Sequence, residues 1–124
     1  MGQNSTTLHE SEESLNPELI DRHRAIASLM EELEAADWYD QRVHACSNAE
    51  LRSILEHNRD EEKEHAAMVL EWLRRNDPVL DKHLKRFLFT EGPIAGREEA
   101  ATSKTAERSS DSLSIGSLRP EVSP

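Results

Sequence analysis

The sequence predicts an all-α fold: an antiparallel hairpin of two long helices, followed by a short C-terminal helix. Charged residues make up 32% of the chain and aromatic residues only 4%, a composition that suits long helices better than a β-sandwich. Apolar residues also recur at alternating steps of four and three, the spacing of a helix that buries one face. Each predicted helix starts at a recognisable capping signal.

The first helix is predicted from Pro17 to Cys46. Asn16 can cap its first turn, and proline is favoured at the first helical position. No Gly or Pro interrupts the residues between Pro17 and Cys46. The stretch therefore reads as one continuous helix.

The second and third helices follow similar signals. Ser47 and Glu50 have the S-x-x-E spacing of a capping box, which predicts a second helix starting there and running to about Asn76. Asp77-Pro78 predicts the start of the third helix, and Gly92-Pro93 the end of the folded part. The predicted organisation is a mobile arm at 1–15, a helical domain at 16–94, a disordered linker at 95–112 and a tail at 113–124.

The net charge, the apolar runs and the cysteine content indicate which partners and which compartment to expect. A net charge of −10 makes nucleic acid and acidic membrane surfaces improbable partners. No apolar run approaches the roughly 20 residues of a membrane helix, and the N-terminal residues lack the apolar core of a signal peptide. Cys46 is the single cysteine, so an intrachain disulfide is impossible. We therefore expect the protein to work in a reducing cytosol.

Charged residues interrupt the apolar stripe of both long helices. On the first helix, the four–three count selects Ala25, Leu29, Glu32, Ala36, Tyr39, Val43 and Cys46. On the second, it selects Leu51, Leu55, Asn58, Glu62, His65, Val69 and Trp72. Unpaired carboxylates are costly on a buried face, so Glu32 and Glu62 need a reason to be there.

The positions of the two glutamates supply such a reason. Equal numbers of residues separate Glu32 and Glu62 from Ser47, so an antiparallel hairpin places both about 22 Å from the turn. His65 lies one turn beyond Glu62 on the same face. Carboxylates with one imidazole suit iron or manganese better than structural zinc. The spacing therefore predicts a metal site, the alternative being a hairpin dimer in which Glu62 and His65 pair with arginines.

One chain supplies only half of a two-metal site. Di-iron carboxylate proteins use a Glu from each of two helices and Glu-x-x-His from each of two others. The third helix offers no second set, because Leu80 stands three residues before His83. A two-helix hairpin also cannot bury its own apolar face. We therefore predict that two chains pair into a four-helix bundle with the metals near the two-fold axis.

Three segments resemble the encapsulated ferritins, ferritin-like proteins that work inside encapsulin nanocompartments. They are EELEAADWYDQRV, HNRDEEKEHAAMVLEWLRRND and FLFTEGPI, which start at Glu31, His57 and Phe87. The resemblance implies a ferroxidase that oxidises Fe(II) to Fe(III) at a di-iron centre between subunits. It also implies homodimers that assemble into a larger ring, and an encapsulin shell in the bacterial cytoplasm that stores the iron.

The resemblance also implies roles for individual residues. The metal ligands of the family match Glu32, Glu62 and His65, and its metal-attracting carboxylates match Glu31 and Glu34. The aromatic pair beside the centre matches Trp38 and Tyr39. From its spacing alone, Tyr39 shares a face with Glu32, where its hydroxyl could bond a ligand carboxylate or its ring could pack in the core.

A short apolar motif closes the chain. In LSIGSLRP, apolar residues return after the polar linker, which fits either a docking tag or a chance cluster in a disordered end. The motif resembles the encapsulin cargo-loading peptide, and Pro120 to Pro124 extends past its usual end. The implied targeting residues are Leu113, Ile115, Gly116, Ser117, Leu118 and Arg119. Two other functions stay open: a manganese or mixed-metal oxidase, and a metal-binding helical scaffold without turnover.

Overall fold

A computed structural model of the chain describes residues 7–97, and this part contains three α-helices and no strand. The helices are α1 (Pro17–Ala45), α2 (Ala49–Arg75) and α3 (Pro78–Phe87). Helices α1 and α2 pack against each other along their length. The predicted all-α fold, with a two-helix hairpin and a short third helix, is confirmed.

The segments before α1 and after α3 overlap the predicted arm and the predicted linker. A one-turn 3-10 helix, Glu12–Ser14, lies within the predicted N-terminal arm. The described residues extend past Gly92-Pro93 to Arg97. The predicted targeting tail and nearly all of the predicted linker lie outside the described residues.

Side-chain caps begin all three helices. Asn16 Oδ1 accepts a hydrogen bond from the Leu19 amide at 2.8 Å, and Asp77 Oδ1 accepts one from the Leu80 amide at 3.0 Å. At α2 the predicted capping residue was wrong. Asn48, not Ser47, is the N-cap, and its Oδ1 accepts from the Leu51 amide at 2.8 Å. Asparagine and serine cap about equally well, so the one-residue shift follows from the length of the turn rather than from intrinsic preference.

The short turn between the long helices is closed by Arg52. Its Nε and Nη2 donate to the Cys46 carbonyl oxygen at 3.0 and 2.7 Å. The last carbonyls of a helix have no partner within the helix, so this bond satisfies the end of α1 with a side chain from the first turn of α2. Cys46 is half-buried at the turn.

The face that α1 turns to α2 is the predicted one, because none of its seven predicted stripe residues is exposed. On α2 only part of the predicted stripe faces α1. The least exposed row is Arg52, Leu55, Arg59, Glu62, Ala66, Val69 and Leu73, whereas Leu51, His65 and Trp72 are exposed. Both rows share Leu55, Glu62 and Val69, so spacing alone did not separate them. The small side chains of Ala36 and Ala66, both buried, favour the observed row because they let two helix backbones approach closely.

The hairpin has a thin core. Within residues 7–97 only Ala36, Ala66 and Leu73 are buried. Twelve large apolar side chains stay exposed: Leu19, Ile26, Leu33, Trp38, Leu51, Ile54, Met68, Trp72, Val79, Leu88, Phe89 and Ile94. Exposed apolar surface on this scale is typical of a chain that associates. None of the described helices has the length and apolar character needed to cross a bilayer.

The chain divides into two compact units at Asp81. Within the first unit, an ion-pair network joins the end of α2 to the start of α3. Arg74 binds both Glu71 and Asp81, and Arg75 also binds Glu71. These two guanidinium groups lower the pKa of Glu71 to about 2. Glu71 therefore stays ionised far into the acid range, and the contact of Arg74 with Asp81 holds the first turn of α3 on α2.

We predict that Asn48→Ala lowers the free energy of unfolding by about 1 kcal/mol, because the Leu51 amide loses its acceptor. The matched control is Ser47→Ala, which removes the predicted but unused cap and should change stability little. Urea unfolding of the metal-free protein at a single protein concentration measures both, since association would otherwise shift the midpoint. An equal loss in the two variants would contradict the assignment of Asn48 as the cap.

Candidate metal centre

Glu32, Glu62 and His65 form one cluster near the middle of the hairpin. Each offers one ligand atom, and these three atoms lie within 4.8 Å of one another. His65 Nδ1 is 3.4 Å from Glu62 Oε1 and 3.7 Å from Glu32 Oε1. The juxtaposition that the spacing predicted is therefore present, and the role of these residues as metal ligands stays a prediction.

The cluster follows from two regularities of the helices. In an antiparallel hairpin, residues equally far from the turn lie level, which brings Glu32 of α1 beside Glu62 of α2. Three residues advance a helix by nearly one turn, which places His65 next to Glu62. Ala36 and Ala66 lie four residues after Glu32 and Glu62, and their small side chains keep the two backbones close beside the cluster.

The carboxyl groups of Glu32 and Glu62 lie close enough to interact. Hydrogen bonding to Glu62 raises the pKa of Glu32, and partial burial and the negative charge of Glu62 act in the same direction. The same interaction lowers the pKa of Glu62, and His65 lowers it further. Glu32 is therefore the one of the two that takes up a proton first as pH falls. Two carboxylates this close repel each other when both are charged, and a cation or a proton between them removes that repulsion.

The cluster is open on one side. The side chains of Glu32 and Glu62 are 28% and 23% exposed, whereas that of His65 is 47% exposed. Three ligand atoms do not fill the coordination sphere of iron or manganese. The open side leaves room for water or for ligands from a second chain.

The other predicted site residues lie outside the cluster. Glu31, Glu34 and Trp38 are exposed. Tyr39 is half-buried, and the Arg42 guanidinium lies over its ring at 5.2 Å from the centroid. The predicted roles of these four residues stay predictions.

The remaining histidines form no second cluster that the structure describes. Nε2 of His57 is 3.1 Å from Oε2 of Glu61, and both side chains are exposed. The two residues lie four apart on α2, a spacing that brings side chains together on one face of a helix. Like Glu62 and His65, this pair on α2 combines a carboxylate with an imidazole. The candidate site has a further carboxylate, that of Glu32.

One contact beside the cluster was missed in the sequence. Arg59 Nη1 donates to Asp40 Oδ1 at 3.0 Å and so links α2 to α1 one turn before Glu62. Arg59 belongs to the row that faces α1, whereas the four–three count had selected Asn58. Choosing the row that contains Ala66 and Leu73 would have found it.

Comparisons with known proteins identify the family of the chain. The sequence model of the EncFtn-like family matches residues 7–91. An encapsulated ferritin-like protein of Rhodospirillum rubrum is 56% identical over 98% of this chain and 94% of its own. The encapsulin nanocompartment cargo protein EncC of Myxococcus xanthus is 35% identical over 71% of this chain and 76% of its own.

A solved structure shows the same fold. The crystal structure of protein ne0167 from Nitrosomonas europaea superposes with a TM-score of 0.69 at 62% identity, covering 71% of this chain and 97% of the other. Its helical architecture is thus the one described above. The chain belongs to the EncFtn-like family of encapsulated ferritin-like proteins.

Proposed function

We propose that this protein is a ferroxidase, which oxidises Fe(II) to Fe(III) at a di-iron centre shared by two copies of the chain. The observation that carries the proposal is the cluster of Glu32, Glu62 and His65, whose ligand atoms lie within 4.8 Å of one another. Family membership supports it, because related proteins are named ferritin-like.

The donor set fits iron. Carboxylate oxygens with a single imidazole favour iron or manganese over structural zinc, which takes more thiolates and imidazoles. Because the pKa of Glu32 is raised, a proton competes with a cation for the carboxyl pair. Binding of a divalent ion would remove the repulsion between Glu32 and Glu62, which otherwise disfavours their shared position.

A second copy completes the site. Four-helix di-iron proteins use two glutamates and two Glu-x-x-His pairs, and this chain supplies one of each. His65 is 47% exposed at the open side of the cluster, where ligands of another copy can approach. The exposed apolar side chains of the hairpin supply surface that such pairing would bury.

The residues of the chain position the substrate and balance its charge. Glu32, Glu62 and His65 would hold Fe(II), and any proton on Glu32 would be released when the ion binds. An oxidant accepts one electron from each of two Fe(II) ions, and the anionic ligands stabilise the added positive charge of Fe(III). The exposed carboxylates of Glu31 and Glu34 would attract hydrated Fe(II) toward the centre, helped by the net charge of −10.

The product would be stored in an encapsulin shell. One relative of this chain is named an encapsulin nanocompartment cargo protein. The tail at 113–124 would provide the shell contact. The dimers would assemble into a larger ring within this compartment.

Manganese is the second candidate metal, because the same donors suit it. Metal analysis of protein isolated from its own host separates an iron enzyme from a manganese or mixed-metal oxidase. Iron-dependent oxygen consumption separates either enzyme from a metal-binding scaffold without turnover.

We predict that metal affinity falls as pH falls toward the ordinary glutamate pKa of 4.5. The raised pKa of Glu32 means that a proton still occupies the pair above that value, and metal must displace it. Affinity for Mn(II) should then drop about tenfold per pH unit for each proton displaced. Calorimetry in two buffers of different ionisation enthalpy measures how many protons are released when the metal binds. The His65→Gln variant removes the part of this release that comes from the imidazole. Binding of the same strength across this range would contradict the shared proton.

We predict that Glu32→Ala, Glu62→Ala and His65→Ala each lower the initial rate of Fe(III) formation at least about tenfold. Each removes a ligand that no neighbouring side chain replaces. The matched controls are His57→Ala and Glu61→Ala, which disrupt a similar His–Glu pair on the same helix and should keep the full rate. Circular dichroism checks that helix content is unchanged. Full activity of the Glu62→Ala protein would overturn the proposed centre.

We predict that deleting 113–124 abolishes loading into a co-expressed cognate shell and leaves the ferroxidase rate unchanged. Replacing Ile115 and Leu118 together by Asp should be as damaging, because two charges would enter apolar pockets. Replacing Ala101 and Ala106 by Asp puts the same charges in the linker and serves as the control. The amount of cargo per purified shell is the measurement. Full loading of the truncated chain would refute the targeting role.

A further inference from the structure

An arginine between two aspartates ties α2 to α1 beside the candidate centre. Arg59 Nη1 donates to Asp40 Oδ1 on α1 at 3.0 Å, and its Nε donates to Oδ1 of the neighbouring Asp60 at 3.0 Å. The bond to Asp60 orients the planar guanidinium so that another of its nitrogens reaches Asp40. The side chain of Arg59 is only 22% exposed, whereas that of Asp40 is 59% exposed. The arginine is therefore packed against the hairpin rather than extended into solvent.

The directions of the side chains favour this bridge. Helical side chains tilt toward the N-terminus of their own helix, so in an antiparallel hairpin Arg59 leans toward the turn and Asp40 leans away from it. Counted from Ser47, Asp40 is nearer to the turn than Arg59 is, so the two side chains lean toward each other. Ala36 is buried and lies nearly level with Arg59. Its small side chain leaves room for the arginine to reach across α1.

The apolar packing of the hairpin gives little resistance to sliding along the helix axes. In the part of the chain that the structure describes, three side chains are buried and two of them are alanines, which interlock weakly with a neighbouring helix. Glu32 and Glu62 also repel each other when both are charged. A slip of one turn moves a side chain about 5.4 Å, further than the 4.8 Å within which the ligand atoms lie. The centre therefore needs a contact that fixes α2 along α1.

We propose that Arg59 is a positioning residue of the metal centre, which holds Glu62 level with Glu32 through its bond to Asp40. Arg59 precedes Glu62 by three residues, and both belong to the row of α2 that faces α1. A bond from Arg59 to α1 thus fixes the turn of α2 that carries Glu62. A guanidinium has no acceptor to offer a metal, so Arg59 acts through the carboxylate. This role rests on the proposed function.

The bridge acts on metal affinity more than on stability. An ion pair with an exposed partner contributes little to the free energy of unfolding. Without the bridge, α2 samples positions in which Glu62 is displaced from Glu32, and only the fraction of chains with level carboxylates is ready to bind metal. The apparent affinity falls by that fraction. Metal at high concentration draws the carboxylates together again, so the saturated centre is restored.

Arg59→Met tests this role, because methionine keeps an unbranched apolar stem and lacks the guanidinium. The affinity for Mn(II), measured by calorimetry at one protein concentration, should fall about tenfold, as is common when a contact that supports a metal site is lost. Asp40→Ala should cause a similar fall. The matched control is Arg24→Met, which removes the same charge from an Arg–Asp pair within α1 and should keep the affinity.

Exchange of the two charges separates positioning from packing. Arg59→Asp should weaken Mn(II) binding more than Arg59→Met does, because it adds a carboxylate beside Asp40 and Asp60. Adding Asp40→Arg should bring the affinity back to within about threefold of the unmodified chain, since a long donor on α1 and a short acceptor on α2 lean toward each other across the same gap. A double variant no better than Arg59→Asp would overturn the proposal, because a stem that merely packs cannot be restored from α1.

Iron kinetics give a second readout. In Arg59→Met the KM for Fe(II) should rise about tenfold, whereas the rate at saturating Fe(II) should stay within about twofold. A lower saturating rate at unchanged KM would contradict a positioning role. Glu62→Ala is measured alongside. Undiminished Mn(II) affinity in Arg59→Met beside a loss in Glu62→Ala would refute the role of Arg59 and leave the centre standing. Full affinity in Glu62→Ala would overturn the centre itself, and the positioning role with it.

Discussion

The position of Glu32 beside Glu62 is the constraint on which the rest of the structure depends. Hydrogen bonding to Glu62, on the adjacent helix, raises the pKa of Glu32. Such a pair is costly in an apolar interface unless a proton or a cation lies between its oxygens. The pair is therefore poorly suited to be mere packing and well suited to bind a metal. His65, 3.4 Å from Glu62, adds the third donor.

The core of the hairpin is thin because the residues packed around this carboxyl pair are small. Small alanines flank the carboxyl pair and let the helices approach, but they bury little apolar area. Large apolar side chains remain exposed on both long helices and after α3. Association would bury this surface and also complete the coordination of the metal. Folding, assembly and metal binding are thus expected to be linked, so that metal stabilises the paired state over separate chains.

Much of this could be predicted from the sequence, because helix periodicity and capping residues are local signals. The three helices and the level positions of Glu32 and Glu62 follow from them. The row of α2 that faces α1 could not be fixed, because two rows share Leu55, Glu62 and Val69. That choice depends on how closely the two backbones pack, which is a tertiary property, and the Arg59–Asp40 bridge was missed for this reason. The cap of α2 was misplaced by one residue because Ser47 and Asn48 are both good caps.

The most direct test of the central claim is native mass spectrometry of the protein with Fe(II) under anaerobic conditions and with a chelator. If two copies share the centre, iron should raise the population of dimers, each holding two iron ions, and the chelator should shift the distribution toward single chains. Glu62→Ala should abolish the response to iron, and Glu61→Ala should keep it. A mass distribution that is the same with iron and with chelator, or iron bound tightly to single chains, would contradict a centre completed by a second copy.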